Sequence, residues 1–359
     1  MRAPRGAKRR YQWAIAMGVP RNAGARRRVA VLVNRQAQGA TRARLAWLRA
    51  RVPAADLHVT DSLPAARAAI AQIVEAGYDV LCAAGGDGTF MAAAGAVIAL
   101  APPRPPGLLA LRLGTGNAVH DTCGAARPTR RGLTGDLARA ADPATPIAPL
   151  RLVEVDGEPA QFAGVGLDAD WAADYGAVIK RWVGAGPLLP LVRGAPGYAV
   201  TALTRTIPRL LARPAVHARV IAEGPALRLG PDGAPLAALA DGAVIHDGPL
   251  TMASASTVGA YSAGLRYFRH VDRIGDAFEL KLAIATPLGV LRHARRVLAG
   301  GADPRRVVDV AARGVRIELA RPTRYHVGGD VRAPTLTLRV ALSPATIPVV
   351  RLGAPPAGG

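Results

Sequence analysis

The sequence predicts two folded domains. The N-terminal one is an α/β domain with a doubly wound, mostly parallel sheet, and the C-terminal one is a β-rich sandwich with a helical insert. From residue 28 to 146, apolar runs alternate with segments of helical periodicity, as βαβ units require. From 147 to 345, short alternating runs separated by Gly, Pro and Asp are typical of antiparallel strands. A length of 359 residues fits two domains.

The elements follow from this pattern in chain order. In the N-terminal half the predicted strands and helices alternate: strands 29–33, 57–60, 78–84 and 107–113, and helices 41–51, 63–76, 89–100 and 129–140. In the C-terminal half the predicted strands are 147–155, 161–165, 217–222, 250–255, 279–285, 314–319, 325–327 and 335–340. Asp156-Gly157 is a hairpin signal. We expect the helical insert at about 171–211, a basic disordered arm over 1–27, and a tail, 346–359, whose strand at 349–352 returns to the first domain.

A glycine turn gives the clearest indication of a chemical function in the sequence. Gly85-Gly86-Asp87-Gly88-Thr89 follows a buried strand and precedes a helix. Glycines let the backbone approach a phosphate closely, and the first N–H groups of a helix point at it. An aspartate in such a turn is explained if it holds Mg²⁺, orients a water or takes a proton from an attacking hydroxyl. The alternative for Asp87 is a turn-capping role.

A second glycine turn follows the next predicted strand. Gly114-Thr115-Gly116-Asn117 comes about 25 residues later. Since parallel strands end at the same edge of a sheet, the two turns are predicted to lie side by side in the crevice where open α/β sheets bind ligands.

Together GGDGT and LGTGN resemble the catalytic domain of the diacylglycerol kinase, sphingosine kinase and bacterial lipid kinase superfamily, to which NAD kinases are more distantly related. The resemblance covers about residues 28–345. It includes the strand ending at Asn34, the strand ending at Thr60, the segment FAGVGLDAD around Asp168, and YHVGGDV, which stands where the family usually has Asp-Gly-Glu.

The resemblance implies an NAD kinase-like fold and transfer of the γ-phosphate of ATP, with Mg²⁺, to the hydroxyl of diacylglycerol or a related lipid. It implies that Asp87 and Asp330 act as catalytic and metal-binding residues, and that Asp168 lies near the polar head of the acceptor. The predicted nucleotide-binding residues are Asn34, Thr60, Gly85, Gly86, Gly88, Thr89, Gly114, Thr115, Gly116 and Asn117. Apolar residues of the insert, such as Trp182, Leu188 and Leu189, either meet the acyl chain or pack in the core.

Several positions depart from the family pattern. Arg35 stands where the family prefers Pro, Met91-Ala92 replace a common Asn-Glu, and Ala118 replaces an Asp. Gly328-Gly329-Asp330 keeps one carboxylate of Asp-Gly-Glu. These changes leave two alternatives open: a kinase for a soluble acceptor such as NAD, and a non-catalytic relative that binds nucleotide or lipid.

The net charge of +21 indicates either a compositional bias towards arginine or an anionic partner. We expect no nucleic-acid partner, since aromatic residues are only 4% and no motif for one is present. An anionic membrane surface fits better, contacted by residues 1–28 or by an amphipathic helix at 288–298. No apolar run is long enough for a membrane span, and we expect a cytoplasmic, peripherally membrane-associated protein. Homodimerisation stays open.

The remaining titratable residues give weaker indications of function. Cys82 and Cys123 show no metal or disulfide spacing, and Cys82 is predicted to be buried. His120 and His326 lie near the two signature regions, where hydrogen bonding in a loop is the expected role for each.

Overall fold

The structure is a computed structural model that describes residues 25–114, 117–182, 194–212, 215–261, 266–284 and 306–353. Most of the predicted basic arm, the predicted helix at 288–298, and the positions Thr115, Gly116, Leu188 and Leu189 lie outside the described residues, as does the side chain of Trp182.

The N-terminal region is a parallel sheet with helices on both faces. Its strands and helices are β1 (Val29–Asn34), α1 (Arg42–Arg49), β2 (Leu57–Thr60), α2 (Leu63–Glu75), β3 (Val80–Gly85), α3 (Asp87–Leu100), β4 (Gly107–Arg112), α4 (Ala118–Cys123) and α5 (Arg130–Ala141). The parallel strands run in the order β2-β1-β3-β4. Every predicted element of this half is present within two residues or so; α4 was not predicted.

The two faces of this sheet have separate cores. On one face Ile70 and Ile73 of α2 pack with Phe90 and Val97 of α3. On the other face Leu45 of α1 packs with residues of α5 such as Leu133 and Ala140. Because side chains of successive strand residues point to opposite faces, the apolar runs of β1, β3 and β4 supply both cores at once.

The C-terminal region is made of antiparallel strands around a helical insert. The strands are β5 (Ile147–Val155), β6 (Glu158–Ala160), β7 (Phe162–Gly166), β8 (Val216–Ala222), β9 (Ala226–Leu229), β10 (Pro235–Leu239), β11 (Val244–Leu250), β12 (Met252–Ser256), β13 (Phe278–Ala283), β14 (Val307–Ala312), β15 (Gly314–Thr323), β16 (Tyr325–Val327), β17 (Asp330–Val331) and β18 (Thr335–Val350). The insert holds α6 (Leu167–Trp182), α7 (Gly194–Thr201), a π-helical turn (Ala202–Thr206) and α8 (Ile207–Ala212).

These strands form two sheets that face each other. The second sheet is antiparallel and has the order β10-β9-β14-β13-β12-β7-β16-β17. Its apolar face, with Leu280 and Val310, packs against Val220 of β8 and Ile317 of β15 in one core. Between β5 and β6 the chain turns at Asp156 and Gly157, both with positive φ, as the hairpin signal predicts.

The last long strand joins the two regions. β18 pairs antiparallel with β5 and β15, and parallel with β4 through Val349 and Leu108. The parallel sheet therefore continues into one leaf of the sandwich. The predicted fold class, a mostly parallel α/β unit followed by a β sandwich with a helical insert, is confirmed, and the exact domain boundaries stay a prediction. In the part of the chain that is described, no helix combines the length and the apolar character that crossing a membrane requires.

Candidate active site

The carboxyl ends of β1, β2 and β3 meet at one edge of the parallel sheet. Asn34 ends β1, and its side-chain amide donates a hydrogen bond to the Thr89 hydroxyl of the glycine turn at 3.1 Å. Thr60 ends β2 opposite Asn34, and its hydroxyl faces the Val33 carbonyl at 3.5 Å. Asn34 and Thr89 thus come together as predicted nucleotide-site residues, whereas the Thr60 hydroxyl is turned towards its neighbouring strand.

The two glycine turns pack backbone against backbone. A Cβ atom placed on Gly114 would lie 2.1 Å from the Cα of Gly86. The Leu113 N–H donates to the Gly85 carbonyl at 2.9 Å, so the hydrogen bonding of the sheet continues up to the turns. A Cβ on Gly85 would meet the Thr89 hydroxyl at 2.2 Å. Glycine at 114 therefore allows the two turns to touch, and glycine at 85 leaves room for the Thr89 side chain; in the described residues the turns lie side by side as predicted.

The N-terminus of α3 has the character of an anion site. Gly86 is its N-cap residue in an extended conformation, and in the described chain no side chain caps this helix end. A Cβ on Gly88, within the first turn, would meet nothing within 4 Å. Uncapped first-turn N–H groups beside open space are what a phosphate group needs.

Asp87 ties the first glycine turn to the helix that follows the second. Its two carboxylate oxygens accept hydrogen bonds from the backbone N–H groups of Ala118 and Val119, at 2.9 and 3.0 Å. The Asp87 side chain is 12% exposed, and the ring Nδ1 of buried His120 lies 3.6 Å from it. Asp87 therefore caps the N-terminus of α4 and not its own turn, and its catalytic and metal-binding roles stay predictions.

Three polar side chains surround Asp168 near the start of α6 and form a cluster with it at the second sheet. The Oδ2 atom of Asp168 accepts from the Ser254 hydroxyl, from the Tyr261 hydroxyl at 3.2 Å, and lies 3.1 Å from Nε2 of His326. Its Oδ1 atom accepts from the Ala169 N–H at 2.8 Å. Asp168, Ser254 and His326 are buried. Asp168 is thus held by four donors of the protein itself, and its predicted place near an acceptor stays a prediction.

Burial and charge act in opposite directions on this cluster. Burial alone would raise the pKa of Asp168, but the charge and hydrogen bond of His326, with the bonds from Ser254 and Ala169, hold that pKa below its ordinary value. Burial, together with the neighbouring Asp168 charge, raises the pKa of Tyr261 well above its ordinary value. Asp168 is therefore a carboxylate at neutral pH, and Tyr261 keeps its proton to donate.

The register of the strands brings the cluster together. Gly164 of β7 pairs with Ser254 of β12 on one side and with His326 of β16 on the other. A Cβ on Gly164 would lie 2.1 Å from Oδ2 of Asp168 and 3.0 Å from Nε2 of His326. Only glycine leaves room for the carboxylate and the imidazole to meet above β7.

Aromatic rings join the cluster to one of the apolar cores. The Tyr261 ring packs on Phe162, with centroids 5.0 Å apart. Phe162 shares one apolar core with Phe90, three residues after Asp87 in α3, and Tyr261 packs on that core. Asp330, by contrast, is exposed on the tight β16–β17 hairpin, whose turn residues Gly328 and Gly329 have φ of 60° and 96°.

Sequence comparison finds a family resemblance in the first domain. Residues 28–142 match the diacylglycerol kinase catalytic domain. The resemblance to that family lies in this segment. It begins at β1, ends after α5, and contains both glycine turns, which are the parts of the catalytic domain that pack together at the sheet edge.

Solved structures resemble the whole chain in fold. A diacylglycerol kinase from Bacillus anthracis str. Sterne aligns with a TM-score of 0.61 at 17% identity, over 91% of this chain and 98% of that chain. A protein of the same organism provisionally assigned as a diacylglycerol kinase aligns with a TM-score of 0.59 at 16% identity, over 90% of this chain and 97% of that chain. These alignments show a likeness of fold over the length of the chain. No curated protein sequence matches this chain.

Some residues around the catalytic domain were not predicted. No local motif marks Tyr261 or Ser254 in the sequence. They come close to Asp168 only because the strands of the second sheet pair. Hydrogen bonding in a loop was expected for His120 and His326. His120 lies in α4, where neither ring nitrogen has a hydrogen-bond partner among the described residues. His326 forms hydrogen bonds as expected, with Asp168 and Tyr261, but it lies in a strand, β16. Both cysteines are buried free thiols.

One further group of possible metal ligands was also missed. Among the described residues, His270, Glu279 and Asp309 form the one set of three that could approach a common ion. The Lys281 ammonium group already lies between the carboxylates, 3.0 Å from Glu279 and bonded to Asp309. This set is therefore an internal ion-pair network of the second sheet.

Proposed function

We propose that this protein is an ATP-dependent lipid kinase, which transfers the γ-phosphoryl group of ATP to the hydroxyl of diacylglycerol or a related lipid. The observation that carries the proposal is the match of residues 28–142 to the diacylglycerol kinase catalytic domain. It is supported by the close packing of Gly114, which follows β4, on Gly86 of the first glycine turn, at the carboxyl ends of β3 and β4.

In this proposal the phosphates of ATP lie at the N-terminus of α3. The backbone N–H groups around Gly86 and Gly88 hold them, and the Asn34–Thr89 hydrogen bond fixes the turn from the side. Gly114 and Asn117 line the nucleotide from the neighbouring turn, and the same role for Thr115 and Gly116, which lie outside the described residues, stays a prediction from the sequence. Catalysis by such a site is mostly positioning and neutralisation of charge.

The kinase reaction implies a magnesium ion, and the residues present fit one. Mg²⁺ is usually bound by one or two carboxylates together with substrate phosphates. Asp87 lies in the glycine turn with its side chain 12% exposed, and the exposed Asp330 is the second carboxylate that the resemblance offers as a ligand. When bound, the ion would neutralise charge on the transferred group. The protein itself would hold Asp87 in place through the two hydrogen bonds from α4.

The acceptor is proposed to enter from the second domain. Asp168 and the residues around it would face its polar head, next to the Tyr261 and Phe162 rings, which pack on each other. An anionic membrane surface would supply the lipid to a basic, cytoplasmic and peripherally associated protein.

The experiment is a transfer assay with labelled ATP, Mg²⁺ and mixed lipids, following label into the organic phase. We expect labelled lipid, and loss of it in Asp87→Asn. Label that appears only in an aqueous product when NAD is supplied would support a soluble acceptor instead. Nucleotide binding without any transfer would support a non-catalytic relative, for which the exposure of Asp330 and the capping bonds of Asp87 give some reason. An Asp87→Asn protein that transfers phosphate normally would refute the role of that residue.

A further inference from the structure

A cavity opens at the end of the sandwich where the helical insert meets the strands. It has a volume of about 550 Å³ and lies beside the first turn of α6. We propose that this cavity binds the phosphate group of an anionic phospholipid, while the neighbouring face of the insert lies on the bilayer. The inference rests on the proposed lipid kinase and deepens it, because it names the surface through which the protein would reach its lipid.

Positively charged side chains dominate the lining of the cavity. The lining includes three arginines and three threonines, which are Arg209, Arg321, Arg324, Thr206, Thr251 and Thr323. Its acidic residue is Asp170. A guanidinium presents its N–H donors in a planar fork that matches two oxygens of a phosphate group. The lining is therefore suited to a phosphate-bearing anion.

Two of these arginines are held in place by carboxylates. Arg209 donates through Nη1 to Asp174 at 2.7 Å, and Arg324 donates through Nη1 to Asp170 at 3.2 Å. Each described bond uses one nitrogen of a guanidinium that has five N–H donors, so donors remain for a ligand. Side chains that are already ordered lose less entropy when they bind. The three arginines outnumber the two carboxylates, and the cavity keeps a net positive charge.

The sequence around the insert is basic throughout. From residue 175 to 222 it has seven lysine and arginine residues and no aspartate or glutamate, although the whole chain has 25 acidic residues. Such a segment is attracted to anionic lipid headgroups, and each basic residue close to the surface strengthens binding about fivefold. The charge of the cavity therefore continues into the segment that surrounds it.

An apolar ridge runs along the insert beside the cavity. Val200, Leu203 and Leu211 are 43%, 69% and 52% exposed. Together with the half-buried Ile207 they recur every three or four residues along α7, the π-helical turn and α8, so they share one face. Leu210, next to Leu211, lines the cavity. An apolar face bordered by arginines is typical of a surface that lies in the headgroup region of an anionic bilayer.

The cavity and the Asp168 cluster share the first turn of α6. Asp168 contacts His326, whereas Asp170, two residues later, lines the cavity and pairs with Arg324. The Arg324 carbonyl also accepts a hydrogen bond from the Gly166 N–H at 3.1 Å, directly before this turn. A bilayer at the cavity would therefore lie next to the helical turn that holds the proposed contact for the polar head of the acceptor.

The first experiment measures binding of the whole protein to vesicles of phosphatidylcholine with and without phosphatidylserine. The test variant combines Arg321→Gln and Arg324→Gln. We expect the wild type to bind the vesicles that contain phosphatidylserine, and the test variant to lose about twentyfold or more of that affinity. Thermal unfolding shows whether the variant is folded.

The matched control combines Arg313→Gln and Arg339→Gln. Both arginines are exposed and paired with a carboxylate, and both lie towards the other end of β15. The control removes the same charge as the test variant, and it should lose about threefold or less in affinity, because the removed charges lie away from the bilayer. Equal losses in the two variants would mean attraction by general charge and would overturn the cavity site.

The second experiment follows the apolar ridge with a fluorophore whose emission reports a polar or apolar environment. It is attached to Leu203→Cys, and labelling is selective because Cys82 and Cys123 are buried. The control is Leu236→Cys, at a position 62% exposed on β10 at the far edge of the second sheet. We expect phosphatidylserine vesicles to shift the emission to the blue for the label at 203 and not at 236. Since only exposed positions change, this result decides the proposal even if the double arginine variant does not fold.

Calorimetry with inorganic phosphate separates a lipid headgroup from a soluble phosphate ligand. Phosphate binding that the Arg321→Gln and Arg324→Gln variant loses, in a wild type that does not bind phosphatidylserine vesicles, would assign the cavity to a soluble ligand and overturn the proposal. A label at 203 that does not shift on vesicles to which the protein is bound would overturn the docking face.

These outcomes are independent of the transfer assay. A wild type that phosphorylates lipid, with vesicle binding unchanged in the test variant, overturns this inference alone. A wild type that binds vesicles through the cavity and the ridge but phosphorylates no lipid refutes the proposed function alone.

Discussion

The nucleotide end and the acceptor end of this molecule are built in different ways. At the nucleotide end, backbone meets backbone: Gly114 packs directly on Gly86, and contiguous residues form each turn. At the acceptor end, side chains from α6, β12, β16 and the loop after β12 meet over a bare strand, β7. The first construction depends on short segments of sequence, and the second depends on strand register across the C-terminal half. Substitutions at the two ends should therefore alter different properties of the protein.

The largest effect on stability is expected in the second sheet. Lys281 is buried and paired with Glu279 and Asp309, and burial already raises the pKa of Glu279. Lys281→Met would leave two buried carboxylates without their cation, which we expect to lower the free energy of unfolding by about 3–5 kcal/mol. Urea unfolding measures this.

The matched control is Arg332→Met, which breaks the more exposed pair with Glu158. It should change the free energy of unfolding by about 1 kcal/mol or less. Equal effects of the two substitutions would mean that the buried network does not stabilise the second sheet.

At the nucleotide end the largest effect is expected from Gly114→Ala. The new Cβ has no room against Gly86, so the two turns must move apart. We expect kcat/KM for ATP to fall by about a hundredfold or more. Gly95→Ala, in the same helix that begins at the turn, meets nothing within 4 Å and should leave kcat/KM unchanged. An active Gly114→Ala protein would show that contact between the turns is not needed.

A tenfold effect is expected from Gly164→Ala at the acceptor end. The added Cβ pushes Asp168 away from His326. We expect kcat to fall by about tenfold or more, while the dissociation constant for ATP stays the same, because the phosphate turns are untouched. A weakened ATP affinity with unchanged kcat would contradict the assignment of ATP binding and acceptor binding to different ends of the molecule.

The smallest effect is expected from Thr89→Val. The substitution removes the hydroxyl that accepts from Asn34, a bond that contributes about 1 kcal/mol to holding the turn. ATP affinity should therefore weaken by roughly fivefold. The control is Thr134→Val, which removes a hydroxyl bonded to the Arg130 carbonyl on the exposed side of α5 and should not alter ATP affinity.

The difference between the two ends also decides what sequence could predict. The strand, turn and helix around Gly85–Thr89 follow from local residue types, and so do β1, β2 and β4 with their helices. The helix α4 was missed because it has only six residues, Ala118–Cys123, and no apolar periodicity that sequence reasoning could detect. This helix accounts for the hydrogen bonds of Asp87, because both N–H groups that its carboxylate accepts from belong to α4.

The Asp168 cluster could not be predicted in the same way. Ser254 and His326 lie 86 and 158 residues from Asp168 along the chain, and pairing of β7 with β12 and β16 brings them together. A one-residue shift of either strand would turn its polar residue to the other face. The sandwich and its helical insert followed from alternation and turns, but register depends on the whole folded sheet.

The most direct test of the account is the dissociation constant for ATP of the wild type and of Gly88→Ala, measured by calorimetry. The folded chain has room for this Cβ, so thermal unfolding should stay unchanged or rise slightly. If the phosphates of ATP lie against the first turn of α3, the methyl group must crowd them, and ATP affinity should fall by tenfold or more. A folded Gly88→Ala protein that binds ATP as tightly as the wild type would contradict the placement of the nucleotide at the paired glycine turns.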